Sequence, residues 1–220
     1  MKKHHLLIET VIFFLIFSSQ ILSAILAVNA SKDGIAPMNI FTEWSFPWYH
    51  LISSAFCVVV LLFFYEKSSK RTLIIYPVLI TYGMMFATSL LCNALSIWLN
   101  STTANANITV TKPDSVLAWF FCILTFIFSA FNEEVIYRFY MADKLNQILS
   151  VKIHGKFLRW VCELIALLCF AFAHLYLGWI AVLNAAIAHV FLRRCYLKSE
   201  RLWQCVVAHC IYNVVSIILL

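Results

Sequence analysis

An all-α fold is predicted for this chain: a polytopic transmembrane helix bundle of about seven spans, with a cytoplasmic N-terminus. Three observations predict it. Of 220 residues, 63% are hydrophobic and only 12% charged, with a mean hydropathy of +0.89, whereas soluble domains carry about 25% charged residues. The apolar residues gather into runs near the ~20 residues that cross a bilayer. The basic residues stand in the short loops between those runs. Four Gly and four Pro leave no flexible linker, and no internal repeat is visible, so residues 1–220 read as a single integral membrane domain.

Met1-Lys-Lys-His-His opens onto a largely apolar run from Leu6 to about Ala30. It is longer than the ~7–15 residues of a signal-peptide core, so it reads as a retained first span. A loop with Lys32, Asp33, Pro37, Glu43 and Pro47 follows, and Trp44, Trp48 and Tyr49 sit where interfacial aromatics belong. The second span is about Tyr49–Tyr65, ended by Glu66–Arg71. The third is about Leu73–Leu99, long enough to need tilt or a kink at Pro77. A mostly polar stretch, residues 100–115, precedes a fourth span at about Val116–Tyr140. Residues 141–158 are basic and amphipathic, a surface segment. The fifth span is about Arg159–Leu177, broken by Gly178; the sixth is about Trp179–Tyr196 and the seventh about Leu202–Leu220.

Charge placement orients the bundle. If seven spans alternate from a cytoplasmic N-terminus, the inner side holds Lys2, Lys3, Lys67, Lys70, Arg71, Lys144, Lys152, Lys156, Arg159, Arg193, Arg194, Lys198 and Arg201. The outer loops hold only Lys32 and Lys112, and Arg138 lies within a span. This is the positive-inside pattern. It also accounts for the net charge of +6 without nucleic acid as a partner. Three Asn-x-Ser/Thr triplets (Asn29, Asn100, Asn107) fall at or near the outer side. The eight cysteines are scattered singly, nearly all inside apolar runs and with no Cys-x-x-Cys spacing, so they read as small packing residues.

The chemistry concentrates in Phe131-Asn-Glu-Glu-Val-Ile-Tyr-Arg-Phe-Tyr140, which follows the uncharged run 116–130. A charge at membrane depth costs a few kcal/mol on insertion scales, which makes such residues functional candidates. Glu134 and Arg138 are i,i+4 and can pair on one helical face. Glu133, turned about 100° away, lacks an obvious partner in its own helix. Phe170-Ala-Phe-Ala-His174 closes the fifth span, and His209-Cys-Ile-Tyr-Asn213 stacks a histidine and an amide on one face of the seventh. At 1.5 Å per residue, Glu133 lies roughly 15 Å deep counted from Asp143, and His209 about 12 Å from Arg201. His174 lies about 16 Å deep if an Arg159–Glu163 i,i+4 pair marks the interface, so the three share one layer. His189, mid-span in the sixth segment, reads as a helix contact.

Glu133-Glu134…Arg138, Phe170…His174 and His209…Asn213, in that order on three separate spans, resemble the type II CAAX prenyl endopeptidase family. These are the CPBP or abortive-infection-like intramembrane proteases. The resemblance covers about residues 116–215, a protease-like core; the first three spans match only as hydrophobic segments. Phe139 stands where relatives commonly have Gly, and Asn184-Ala-Ala-Ile-Ala-His-Val where they are usually glycine-rich. The chain ends at Leu220, whereas some relatives have an eighth span. The resemblance implies hydrolysis of a peptide bond in a membrane-associated substrate, such as a prenylated CAAX tail. Glu133 is then the base that activates water, assisted by His174; His209 and Asn213 donate to the oxyanion, and Glu134 with Arg138 supports them. The expected reaction needs no metal, since an amide such as Asn213 is a poor zinc ligand; the alternative is zinc held by Glu133, His174 and His209, a legitimate ligand set. The partners implied are a peptide or lipidated protein and membrane lipid. The location is a multi-pass position in the inner membrane of a bacterium or the endoplasmic reticulum of a eukaryote. Two other classes compete: a non-catalytic scaffold or bacteriocin-immunity protein that keeps the fold, and a proton-coupled transporter. The latter is disfavoured by the absence of inverted repeats with broken spans.

Overall fold

The computed structural model describes residues 7–16, 18, 22, 25, 44–64, 75–99, 111–150 and 155–219. Among them there is no strand. The helices are α1 (Leu7–Ile16), α2 (Trp48–Phe64), α3 (Tyr76–Trp98), α4 (Val116–Glu134), α5 (Ala142–Leu149), α6 (Lys156–Phe172), α7 (Trp179–Ser199) and α8 (Leu202–Ile218). A π-helical turn, Val135–Met141, joins α4 to α5, and a short 3₁₀ turn, Leu175–Leu177, follows α6. The end of the expected first span, the loop at residues 26–43 and the triplets at Asn29, Asn100 and Asn107 lie outside the described residues.

The molecule is turned inside out relative to a soluble protein. Leu62, Phe63, Leu91, Ile97, Trp98 and Val116 face outward, while Ser54, Thr81, Asn132, Glu134, Arg138, His189, Arg193 and His209 are buried. Large apolar surfaces on the outside and charges within suit hydrocarbon as the solvent. Among the described residues three helices are long and apolar enough to cross a membrane: Tyr76–Trp98, the continuous rod Val116–Leu149, and Trp179–Ser199; Leu7–Ile16, Trp48–Phe63 and Leu202–Ile218 are shorter apolar helices.

Local sequence explains where the elements begin and end. Pro77 lies in the first turn of α3, where its missing N–H is not needed, so it starts the helix instead of kinking it. Ser115 caps α4 by accepting from the Ala118 N–H at 3.2 Å. Gly178, at φ 96°, turns the chain from the 3₁₀ turn into α7, a conformation that costs glycine nothing. Glu200 ends α7 in the left-handed region at φ 55°. The expected surface segment is partly different: Ala142–Leu149 continues the fourth helix directly, burying Ala142 and Leu145, and packs on α6.

Two apolar cores hold the bundle. One gathers Phe13, Ile16, Cys57, Val60, Tyr137, Tyr140, Cys162 and Phe170 around the π-helical turn. The other joins α3, α7 and α8 through Val78, Met85, Ala188, Leu192, Cys195, Cys205 and Ala208; its small residues allow close helix approach. All eight cysteines are free thiols, six of them buried. At one end of the bundle Lys144 Nζ lies 3.2 Å from Glu9 Oε2, tying α5 to α1. At the other, Trp44 Nε1 donates to the Thr111 carbonyl and Lys112 Nζ to that of Ile218.

A buried polar clasp fastens α2 to α4. Asn132 accepts from Ser54 Oγ at 2.8 Å and donates Nδ2 to the His50 carbonyl at 3.1 Å. Replacing Asn132 by Ala leaves both partners without it, a cost of about 1–3 kcal/mol. Asn132→Ala is therefore expected to lower the thermal midpoint in detergent by about 5 °C, measured by differential scanning fluorimetry. An exposed control such as Leu62→Ala should shift it far less.

Candidate active site

The site is built where α4 passes into the π-helical turn. Glu134, the last residue of α4, and Arg138 have no exposed side-chain surface, and Arg138 Nε lies 3.1 Å from Glu134 Oε2. Neither atom makes an aligned hydrogen bond, so this is a charge contact. The other Glu134 oxygen, Oε1, lies 2.8 Å from His209 Nδ1 on α8. Arg138 Nη1 lies 2.8 Å from His189 Nδ1 on α7, and the guanidinium stacks 4.2 Å over the Phe170 ring on α6. One carboxylate–guanidinium pair thus draws four helices together.

Glu133 stands beside this network and not in it. Ser129, one turn earlier, donates Oγ to Glu133 Oε1 at 2.8 Å. Oε2 is buried with no hydrogen-bond partner among the described residues and lies 3.9 Å from His209 Nε2. The side chain keeps 26% exposure, so it is approachable from one side. The expectation that Glu133 has no partner in its own helix is therefore corrected: Ser129 is one, at the i−4 position that helical geometry brings alongside.

The hydrogen bonds dictate histidine tautomers. A carbonyl only accepts, so His174 Nδ1, 2.8 Å from the Phe170 carbonyl, carries the proton, and neutral His174 offers its lone pair at Nε2. By the same reasoning His209 Nδ1 donates to Glu134. An arginine only donates, so His189 Nδ1 accepts from Arg138. Phe170 sits at the hub, its ring centre 4.8 Å from that of His174, 5.5 Å from His189 and 6.3 Å from His209. Arg159 and Glu163 do not form the expected interface pair: Glu163 directs its carboxylate to Arg193 at 2.6 Å, and Arg159 is exposed. Asn213, one turn beyond His209 on α8, makes no hydrogen bond among the described residues. Its neighbour Tyr212 accepts from Asn184 Nδ2 at 2.8 Å.

Residues 115–215 match the model of the Rce1-like family, described as type II CAAX prenyl endopeptidase Rce1-like. The match is to this segment and covers a little less than half of the chain. It begins at the cap of α4 and runs through the end of the Glu133, His174 and His209 constellation, while α1, α2 and α3 precede it. The match supports a CAAX-type intramembrane protease at the level of the family. No curated protein and no solved structure matches the chain.

Several residues around the site go beyond the sequence motifs. Ser129 and the His189–Arg193 pair were legible as i,i+4 spacings; the role of His189 as the acceptor for Arg138 was not. Arg193, placed by charge counting among the inner-side cations, is 5% exposed and lies inside α7. Among the described residues no three His, Cys, Asp or Glu side chains are gathered into a group that could hold a metal ion. An apolar cavity of about 300 Å³, lined by Leu61, Phe131, Leu202, Trp203, Val206 and Val207, opens between α2, α4 and α8. Phe131 is two residues before Glu133.

The ion pair makes a measurable demand. Arg138→Met leaves the Glu134 carboxylate buried without its cation, a loss of about 3–5 kcal/mol, so the thermal midpoint should fall by roughly 10 °C. Combining it with Glu134→Met should restore part of that loss. Equal losses in the single and double variants would show that the pair is not the source.

Proposed function

We propose that the chain is an intramembrane endopeptidase in which Glu133 activates a water for attack on a peptide carbonyl. The observation that carries this reading is the buried Glu133 Oε2, without a hydrogen-bond partner among the described residues while Ser129 holds the other oxygen. A carboxylate so placed has one oxygen anchored and one free to take a proton. His174 presents an Nε2 lone pair and interacts electrostatically with Glu133, which suits it to orient the same water.

In this reaction the water oxygen bonds to the carbonyl carbon as its proton passes to Glu133 Oε2, and the carbonyl π electrons become an oxyanion. His209, its Nδ1 held by Glu134, donates from a protonated Nε2, and the Asn213 amide donates alongside it. Preorganised donors in a dry site are worth about 3–4 kcal/mol each. Collapse of the oxyanion breaks the C–N bond, and the proton on Glu133 leaves with the amine. With Glu133 and Glu134 as anions and Arg138 as the cation, a proton on His209 brings the local charge to zero. The reaction is written without a metal, with water activation resting on Glu133. The cavity beside Phe131 has the size and character to take an apolar part of the substrate, a lipid chain included. The orientation proposed is N-terminus inside, which puts the basic α5–α6 connection and the end of α7 in the cytoplasm.

In detergent, cleavage of prenylated and unmodified membrane peptides should fall about 10²–10⁴-fold in Glu133→Gln and His174→Ala and about 10²–10³-fold in Asn213→Ala. Ser129→Ala should retain more activity than any of these. Full activity in Glu133→Gln would sink the assignment. A chelator should leave the rate unchanged, and elemental analysis of active protein should find no stoichiometric metal; loss of activity restored by zinc would instead put Glu133, His174 and His209 on a metal.

A further inference from the structure

Arg193 spends every donor it has. Nε lies 2.9 Å from Glu163 Oε2 and 3.2 Å from Oε1; Nη2 lies 2.6 Å from Glu163 Oε1 and 2.8 Å from Asp143 Oδ1. Nη1 lies 3.3 Å from Asp143 Oδ2 and donates also to the backbone carbonyl of Arg138. A guanidinium has five N–H groups in a rigid fork. Stapling two carboxylates uses four, and the fifth goes to the main chain of the residue whose side chain holds Glu134.

That main chain is π-helical from Val135 to Met141. A π turn departs from the i→i−4 ladder, is rare, and tends to stand at functional sites. Its offset carbonyls need partners when buried, and Arg193 supplies one. His189 sits one turn before Arg193 on α7 and meets the Arg138 side chain. The same face of α7 therefore grips residue 138 twice, at its guanidinium and at its carbonyl.

We propose that Arg193 is a positioning residue: through Asp143, Glu163 and the Arg138 carbonyl it sets the π-helical register that aims Arg138, and hence Glu134 and His209, at the reacting atoms. The proposal rests on the endopeptidase reading for its activity consequence, but not for its structural one. Asp143 and Glu163 keep side-chain exposures of 48% and 22%, so the staple ends at the bundle surface while its far arm reaches the site. A bare ionic staple between helices needs only the charge; holding a register needs the fork. Lysine offers one point charge on a flexible stem and cannot span two carboxylates and a carbonyl at once.

The test compares wild type with Arg193→Lys, Arg193→Ala and Glu163→Gln in the full chain, in detergent. Hydrogen–deuterium exchange of peptides covering Val135–Met141 and α3 is read beside peptide-cleavage kinetics and the thermal midpoint. The expected result is faster exchange in Val135–Met141 for Arg193→Lys with α3 unchanged. kcat should be lower by about tenfold or more, with KM held within about twofold. Glu163→Gln, which weakens the staple without removing the fork, should fall between. Wild-type exchange and kcat in Arg193→Lys would overturn the proposal, and so would a general rise in exchange across all helices with a matching loss of midpoint. Should the wild type cleave no peptide, that failure belongs to the endopeptidase reading, and exchange at Val135–Met141 alone decides the role of Arg193. The poorly folding outcome, most to be expected of Arg193→Ala, is covered by the lysine and Glu163 variants.

Discussion

Glu134 is a carboxylate with no exposed surface in the middle of a membrane bundle, and the site depends on how its charge is met. Removing such an ion from water costs several kcal/mol even after relaxation. Arg138 meets one oxygen and His209 the other. Arg138 carries its own burial, offset by His189 and by the face of Phe170. Each partner comes from a different helix, so the electrostatic requirement of one side chain fixes how α4, α6, α7 and α8 meet.

Glu133 gains its chemical character from being left out of that arrangement. Adjacent residues on a helix point about 100° apart, so one acid of the pair can be consumed by structure while its neighbour faces another direction. Ser129 restrains one Glu133 oxygen, and the other has no hydrogen-bond partner among the described residues. Arg193 extends the same logic outward, since its fork links the main chain of the π-helical turn to Asp143 and Glu163 near the bundle surface. Rigid support reaching from the surface to a reacting group is how a site holds its geometry to within about half an ångström.

The motif residues were legible because they break a rule that the membrane enforces. Charged and imidazole side chains in apolar runs stand out against hydrocarbon, and i,i+4 spacing predicts Glu134 with Arg138 directly. Helix positions were legible for a similar reason, apart from the exact ends that Ser115, Pro77 and Gly178 decide locally. Arg159–Glu163 shows the limit of local spacing: it permits a pair, yet Glu163 goes to Arg193, thirty residues on. A partner in another helix outcompetes one in the same helix when it is a buried cation in need of two acids. His189 was invisible as anything beyond a helix contact, because its importance lies wholly in what stands opposite it.

The sequence by itself determined that this is an all-helical, membrane-suited chain. It also singled out two acids, an arginine, two histidines and an asparagine as the candidates for its chemistry. Both follow from composition and from periodicity along one helix at a time, which hydrophobic burial and helical geometry enforce without reference to the rest of the chain. The tertiary structure alone decided that His209 meets Glu134, that the helix bearing the two acids runs through a π turn, and that Arg193 and His189 grip residue 138. Those are contacts between helices far apart in sequence. No local pattern encodes them, because each depends on which buried charge reaches which partner once the bundle has closed.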